Sequence, residues 1–299
     1  MQELDSFKLQ LGQGSEIAMA LTLALMMFSV AIGLRREHFR FFITRPRVFY
    51  AGVFTQIILL PLLTLGLCFL LKPLPSVALG MILIACCPGG NVSNLLVLLA
   101  RGNTALSVSL TATSSIAAAF ITPVSILFWC SLYPPTNSLL TEINFDAVAF
   151  LTQTTVILAV PLLAGMVVAE LYPAFVKRFQ KTLVTIASFG LLAIIVTTLV
   201  RYFDQFLTLG LALIGLVAIH NASAFLLGYG SARLIGADTP SARALTFEVG
   251  IQNSGLGIVI LLTQLGGMGG AAAVAGLWGI WHIVAGLVLV SLFRKLQPS

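Results

Sequence analysis

Charged residues are scarce in this sequence: only 9% of its 299 residues are Asp, Glu, Lys or Arg, whereas 59% are hydrophobic. Soluble globular domains carry roughly a quarter charged residues, so this scarcity excludes a soluble protein. A net charge of +6 alone would suggest a nucleic-acid partner. The basic residues instead lie in short runs between apolar segments, as the charges that flank membrane spans do. The composition therefore predicts a polytopic helical protein in a lipid bilayer, with no nucleic-acid partner.

Cysteines and catalytic motifs are also sparse. The four cysteines, Cys68, Cys86, Cys87 and Cys130, lie in apolar runs without metal-site spacing, so we interpret them as small packing residues. An intramembrane enzyme would need paired aspartates, a Gly-x-Ser-x-Gly elbow with a partner histidine, or His-Glu-x-x-His, and the sequence has none of these. A non-transporting sensor would need a soluble output domain, which the sequence does not show. The sequence therefore favours neither of these two classes.

The first 16 residues do not resemble a signal peptide. They carry three acidic residues against one lysine, Lys8, and no small-residue cleavage site follows the first apolar run. We therefore expect the first span to be retained, with its N-terminus outside.

Apolar windows of about 20 residues predict nine membrane spans joined by short loops. With the N-terminus outside, thirteen Lys and Arg residues fall on the inner side and three, Lys8, Lys72 and Arg201, on the outer side. This positive-inside bias predicts a multi-pass protein of the inner cell membrane with a cytoplasmic C-terminus. The predicted spans are about 16–34, 47–71, 74–100, 104–133, 146–171, 182–200, 207–233, 241–265 and 270–293.

Two spans contain sequence that interrupts a helix. Residues 86–91 read Cys-Cys-Pro-Gly-Gly-Asn, in which Pro88 removes a backbone donor and the glycines permit unwound backbone. Residues 248–255 read Glu-Val-Gly-Ile-Gln-Asn-Ser-Gly. Interrupted spans in corresponding positions of two halves indicate a transporter with inverted repeats and a midplane site. We therefore predict two discontinuous helices that cross at the midplane.

Glu248 is the one acidic residue that cannot be placed near a membrane surface. A carboxylate at the bilayer centre costs about 2.5–3.5 kcal/mol on insertion scales, so it should face the protein interior with a partner. Its span has no Lys or Arg apart from Arg243 at the entry, so either Glu248 stays protonated or a cation neutralises it. The half-helix N-termini near Asn91 and Gln252 favour an anion nearby. Such a site suits an anionic solute carried with Na⁺ or H⁺.

Other polar residues within the spans are weaker candidates. Ser107 and Thr111 share a helix face, but helix packing and back-bonding explain hydroxyls there equally well. Gln56 needs a buried partner, either a cation or an interhelical hydrogen bond. His282 is open to substrate contact, proton handling or a structural role, whereas for His220 we favour structure.

These residues resemble the two signatures of the bile acid:sodium symporter family. The first signature matches residues 86–90, 93–94 and 100–103, and the second matches residues 248–255. The resemblance covers essentially the whole chain from the first span and implies a bacterial member with nine helices rather than ten. It also implies a single transporter domain, residues 1–299, divided into a panel and a core. We assign the spans at about 16–71 and 146–200 to the panel, and those at about 74–133 and 207–293 to the core.

The resemblance further implies two Na⁺ sites and a substrate site. The first Na⁺ would be held by Ser93, Asn94, Ser107, Thr111 and Glu248. The second would be held by Gln56, Glu248, Gln252 and the carbonyl oxygens of Val249 and Ile251. The substrate contacts would be Gly90, Asn91, Asn253 and His282.

Two departures from the family pattern concern the substrate. Ile283 stands where bile-acid-binding relatives carry Asn, and Asn91-Val92 replaces a more usual Thr-Ala pair. Both favour a small carboxylate over a bile acid. We therefore predict sodium-coupled symport of an organic anion by alternating access, in a protein for which a monomer is plausible. The alternative is a proton-coupled carrier with Glu248 as the proton site, although the surrounding hydroxyls and amides favour a metal cation.

Overall fold

The computed structural model describes residues 13–143, 145–201 and 203–295. Within these ranges the secondary structure is mainly helical, and an isolated antiparallel bridge joins Gly89 and Gln252. The expectations for the N-terminal segment, including Lys8, and for the C-terminus lie outside these residues. The helices are α1 (Gln13–Ala31), α2 (Phe41–Thr44), α3 (Pro46–Phe54), α4 (Leu60–Leu71), α5 (Pro75–Ala85), α6 (Asn91–Leu99), α7 (Thr104–Ser131), α8 (Pro134–Glu142), α9 (Ala147–Leu171), α10 (Pro173–Arg201), α11 (Phe203–Leu234), α12 (Thr239–Gly250), α13 (Ser254–Gln264) and α14 (Gly269–Lys295), with a 3₁₀-helix at Arg36–Phe39 and a π-helical turn at Thr55–Leu59.

Many of these helices are long and apolar. Among the described residues, five helical segments are long and apolar enough to cross a membrane, and two shorter apolar helices, α5 and α13, adjoin the two interruptions. This confirms the prediction of an all-α polytopic membrane protein. All four cysteines are buried and free, as expected for packing residues. The five long helices are Pro46–Leu71, Thr104–Ser131, Ala147–Leu171, Leu211–Leu234 and Gly269–Lys295.

Both predicted interruptions are present, and their backbones pair with each other. Gly90 N–H donates to the Ile251 carbonyl at 3.0 Å, and Asn253 N–H donates to the Pro88 carbonyl at 2.8 Å. Unwound backbone inside a membrane protein must find partners within the protein, and here each break supplies the partners of the other. The starts of α6 and α13 are consequently held side by side.

The paired breaks are buried among the packed helices. α1 packs on α9 and α10, α7 packs on α6 and α9, and α11 packs on α12 and α14. The start of α7 is set by Asn103, whose Oδ1 accepts the N–H of Leu106 at 3.0 Å. This N-cap fixes the helix register that turns Ser107 and Thr111 toward α12.

Candidate cation and substrate site

Glu248 lies in the last turns of α12 with 1% of its surface exposed, facing the protein interior as predicted. Its carboxylate is surrounded by hydroxyl groups from two other helices. Ser93 of α6 donates a hydrogen bond to Oε1, and Ser107 of α7 donates to the same oxygen at 2.5 Å. Thr111 lies 2.9 Å from both Oε1 and Oε2. Hydroxyls therefore supply the partners that a buried carboxylate requires.

Asn94 completes this first cluster. Its side-chain oxygen lies 2.8 Å from Ser107 Oγ and 3.4 Å from Thr111 Oγ1. Ser107 has a single proton, yet its oxygen lies within hydrogen-bond distance of both Asn94 Oδ1 and Glu248 Oε1. This cluster has more acceptor oxygens than hydroxyl protons to satisfy them, and such a cluster of oxygens suits a hard cation. The structure thus brings together all five residues predicted for the first Na⁺.

Arg243, the arginine at the entry of this span, has contacts at the far ends of other helices. Its guanidinium donates to the carbonyl of Ala100, at the end of α6, at 2.7 Å. It also donates to the carbonyl of Phe293, near the end of α14, at 3.1 Å. Carbonyls at helix C-termini carry partial negative charge, so a buried guanidinium is well placed there.

Of the residues predicted for the second Na⁺, Gln56 and Glu248 meet at the first break. Gln56 belongs to the π-helical turn, an irregularity that is frequent at functional sites. A methyl group placed on Gly89 would lie 2.8 Å from Glu248 Oε2 and 3.0 Å from Gln56 Nε2, so both side chains reach the same point of the first break. Gln252 Nε2 donates to the Val249 carbonyl at 2.8 Å.

Two amide atoms in this second set lack partners. Gln56 Nε2 and Gln252 Oε1 are buried, and neither has a hydrogen bond within the described part of the chain. Buried polar groups are nearly always satisfied, so such atoms point to a bound ligand. Gln252 Oε1 is an acceptor that a cation can use, whereas Gln56 Nε2 is a donor, so Gln56 would bind a cation only with its amide turned over to present Oε1. The Ile251 carbonyl oxygen accepts the N–H of Gly90 and keeps one lone pair for a further ligand. Among the described residues, no group of three His, Cys, Asp or Glu gathers as a transition-metal site would require.

All four residues predicted to contact substrate line one cavity of about 480 Å³. This volume lies within the range of about 300–1,000 Å³ that is usual for small-molecule sites. The N-termini of α6 and α13 face the cavity, and Asn253 caps α13 by accepting the N–H of Leu256 at 3.0 Å. His282 is buried, and its Nδ1 has no hydrogen-bond partner in the described structure. The four residues are Gly90, Asn91, Asn253 and His282.

The opposite wall of the cavity was not predicted from the sequence. It comes from α1 and α10, including Met26, Ser29, Val184 and Ser188. These helices carry ordinary apolar and small residues, which give no sequence signal that distinguishes a cavity wall from a lipid-facing surface.

A second cavity, of about 270 Å³, reaches the first cluster from one end of the helices. Asn94 and Thr111 lie in its wall, together with Asn91, which it shares with the larger cavity. His38 of the 3₁₀-helix and Gln180 of α10 also line it. The oxygen cluster is therefore accessible from the side on which α1 ends and α10 begins.

His220 and Asn221 on α11 have structural partners. His220 Nε2 lies 2.7 Å from Thr64 Oγ1, and its ring lies 4.7 Å from that of Trp278. Asn221 Nδ2 donates to the carbonyl of Gly250, the last residue of α12, at 2.7 Å. The structural role favoured for this pair agrees with these contacts.

Comparisons with known proteins identify a family and several relatives that this chain resembles in sequence. Residues 20–223 match the sodium bile acid symporter family. The chain is 34% identical over 240 residues to the "Uncharacterized sodium-dependent transporter YocS" of Bacillus subtilis (strain 168), covering 80% of this chain and 71% of that protein. It is 31% identical over 278 residues to the "Probable sodium/metabolite cotransporter BASS1, chloroplastic" of Arabidopsis thaliana, covering 93% of this chain and 67% of that protein.

A human protein is also similar. The chain is 29% identical over 239 residues to the human "Ileal sodium/bile acid cotransporter", covering 80% of this chain and 67% of that protein. The family and these relatives are transporters, which confirms the prediction that the protein is not an enzyme. The family match over more than half of the chain, together with a relative 34% identical and covered over 71% of its length, shows that the chain belongs to the sodium bile acid symporter family.

Proposed function

We propose that this protein is a secondary transporter that carries an organic anion together with Na⁺ across the cell membrane by alternating access. The observation that carries the proposal is the buried Glu248 carboxylate, enclosed by hydroxyl and amide oxygens beside an anion-favouring cavity. The named sodium dependence of the relatives supports the choice of cation.

Two Na⁺ ions would share Glu248. Ser93, Asn94, Ser107 and Thr111 would complete the first site, because their oxygens already converge on the carboxylate. Gln56, through its side-chain oxygen, Gln252 and the carbonyls of Val249 and Ile251 would complete the second, where Gln252 Oε1 is a buried acceptor without a partner. A hard monovalent cation suits neutral oxygen ligands around one shared carboxylate, whereas Ca²⁺ sites usually recruit more anionic ligands.

The anion would bind in the larger cavity, against the paired half-helix N-termini. Free N–H groups and the positive ends of two helix dipoles favour a carboxylate there. Asn91, Asn253 and His282 would orient it, since all three line this cavity. Ile283 lies in the same wall, where an apolar side chain offers no hydrogen bond to a bile-acid hydroxyl, so a small carboxylate fits better.

Coupling between the ions and the anion follows from the paired breaks. Gln252 lines the substrate cavity and also belongs to the second Na⁺ set. Its neighbours in the chain, Ile251 and Asn253, make the two hydrogen bonds to the other break. Binding of Na⁺ would order this junction and so prepare the helix ends for the anion. A coupling free energy of about 1–3 kcal/mol changes affinity about 5–150-fold, which is sufficient for symport.

Alternating access requires two bodies that move against each other. We group α1, α9 and α10 as the panel because they pack on one another, and the broken helices with their neighbours as the core. The segment Pro46–Leu71 then belongs to the core, unlike in the division expected from the sequence, since α3 and α4 pack against α11. With nine spans in an inverted repeat and the N-terminus outside, as we propose, the opening near His38 would lie on the cytoplasmic side.

The function is tested by uptake into proteoliposomes. A thermal-shift screen of small carboxylates and taurocholate, in NaCl and in choline chloride, first identifies a transported anion. We expect uptake to require an inward Na⁺ gradient, to stop when choline replaces Na⁺ at fixed pH, and to be lost in Glu248→Gln. Glu142→Gln, at an exposed position on α8, is the matched control and should transport normally. Uptake driven by a pH gradient in choline would support the proton-coupled alternative instead.

A further inference from the structure

The two oxygens of the Glu248 carboxylate have different neighbours. Oε1 receives contacts from three hydroxyls, those of Ser93, Ser107 and Thr111. Oε2 lies near Thr111 and otherwise faces the backbone of Gly89. The second cation would therefore meet the carboxylate at Oε2, where fewer protein groups compete for its lone pairs.

Ser114 of α7 lies beside this face and belongs to neither predicted ligand set. Its Oγ lies 3.7 Å from the position of a methyl group on Gly89, a position shared with Glu248 Oε2 and Gln56 Nε2. Its proton is directed to the Thr111 carbonyl at 3.2 Å. One lone pair accepts the N–H of Gly89 at 3.3 Å. The other lone pair remains available for a cation.

A small cavity adjoins Ser114 on the side of the π-helical turn. Its volume is about 20 Å³, and its wall includes Gln56, Pro88, Ser114 and Thr122. A space of this size holds about one water molecule and stays hydrated when several polar groups line it. Ser114 and Gln56 therefore line one space that a single water molecule fits.

We propose that Ser114 Oγ is a further ligand of the second Na⁺, with the small cavity holding one water molecule next to the ion. This inference rests on the proposed function. Gln56, Ser114 and Glu248 Oε2 would then surround the first break, and Gly89 would be the residue that leaves room for the ion. Ser114 would also contribute to discrimination between Na⁺ and Li⁺, because a neutral oxygen at a fixed distance favours one ionic radius.

The test compares Ser114→Ala with Ser109→Ala. Ser109 is a matched control on the same helix, because it is buried and donates to the Ala105 carbonyl at 2.9 Å. We expect Ser114→Ala to raise the Na⁺ concentration for half-maximal uptake about three- to tenfold, a size typical of one lost polar contact. It should also change the ratio of Li⁺-driven to Na⁺-driven uptake, which a loss of stability alone would not do. Ser114→Thr keeps the hydroxyl, so its Na⁺ concentration for half-maximal uptake should equal that of the native protein. Ser109→Ala should change neither this concentration nor the ratio of Li⁺-driven to Na⁺-driven uptake.

Two outcomes separate this inference from the function on which it rests. If Gln56→Ala raises the Na⁺ requirement but Ser114→Ala behaves like Ser109→Ala, Ser114 is not a ligand and the transport proposal stands. If Gln56→Ala, Ser114→Ala and Glu248→Gln all leave the Na⁺ dependence unchanged, the transport proposal itself fails.

Discussion

Gly89→Ala tests whether the first break is shaped around an ion. The added methyl group would lie 2.8 Å from Glu248 Oε2 and 3.0 Å from Gln56 Nε2. Both distances are shorter than ordinary contacts of a methyl carbon, so the side chains of Glu248 and Gln56 must move. Gly89 is not among the positive-φ residues of the described chain, so an alanine there meets no backbone strain. The effect of the substitution is therefore steric and local to the two proposed cation ligands.

The magnitude can be divided between stability and binding. Overpacking of a core costs about 1–3 kcal/mol when the neighbours cannot move. Here the neighbours are the ends of flexible side chains, so we expect less than about 1 kcal/mol of lost stability without Na⁺. Displacing two ligands of one ion should instead appear in binding, and about 1.4 kcal/mol corresponds to a tenfold change. We expect the Na⁺ concentration for half-maximal thermal stabilisation to rise about tenfold or more.

The assay is a thermal-shift titration with NaCl, with choline chloride holding the ionic strength constant. Gly66→Ala is the matched control, because nothing lies within 4 Å of the position of its added methyl group. This control should keep the native Na⁺ titration and gain slightly in stability, since alanine is the better helix former by up to about 1 kcal/mol. Equal Na⁺ titrations for Gly89→Ala and Gly66→Ala would refute the reasoning.

Two further predictions concern the supports of the site. Asn221→Leu should lower the free energy of unfolding by about 1–3 kcal/mol, because the Gly250 carbonyl would be left buried without its 2.7 Å hydrogen bond. Thermal or detergent denaturation measures this loss. An unchanged stability would count against that contact. The pKa of Asp238 is lowered chiefly by the Ser241 hydroxyl and then by Arg45, which lies 2.7 Å away. A lowered folded-state pKa gives stability that is present above the unfolded-state pKa, about 3.9, and is lost as the pH falls through the folded-state value. Between pH 5 and pH 3 the native protein should therefore lose more stability than the Asp238→Asn variant. The difference should be no more than about 1 kcal/mol, because the Arg45–Asp238 pair is half exposed. Parallel stability–pH profiles of the two proteins would contradict this prediction.

The general architecture could be predicted because membranes impose strong compositional rules. Scarce charge and long apolar runs predict helical spans, and Pro88 with its glycines predicts a break. Glu248 was identifiable from the sequence alone, since an acidic residue far from any membrane surface needs an internal partner. In the structure that side chain is 1% exposed, and its contacts come from α6 and α7.

Other parts of the site depend on packing that periodicity does not encode. α7 carries many hydroxyls, and only the distances distinguish Ser107, which reaches Glu248, from Ser109, which bonds its own helix. Gln56 lies near Gly89 because it belongs to a π-helical turn, and no residue type in that segment predicts such a turn. The wall of the larger cavity formed by α1 and α10 consists of residues that would serve equally well against lipid.

The central claim is that Na⁺ binds against the buried carboxylate at the junction of the two breaks. Its most direct measurement is equilibrium binding of radiolabelled sodium to the purified protein in detergent, compared between the native protein, Glu248→Gln and Glu142→Gln. The account predicts saturable binding of two Na⁺ ions per chain in the native protein and in Glu142→Gln, and loss of both in Glu248→Gln because the two sites share that side chain. Saturable binding of two ions by Glu248→Gln with native affinity would contradict it.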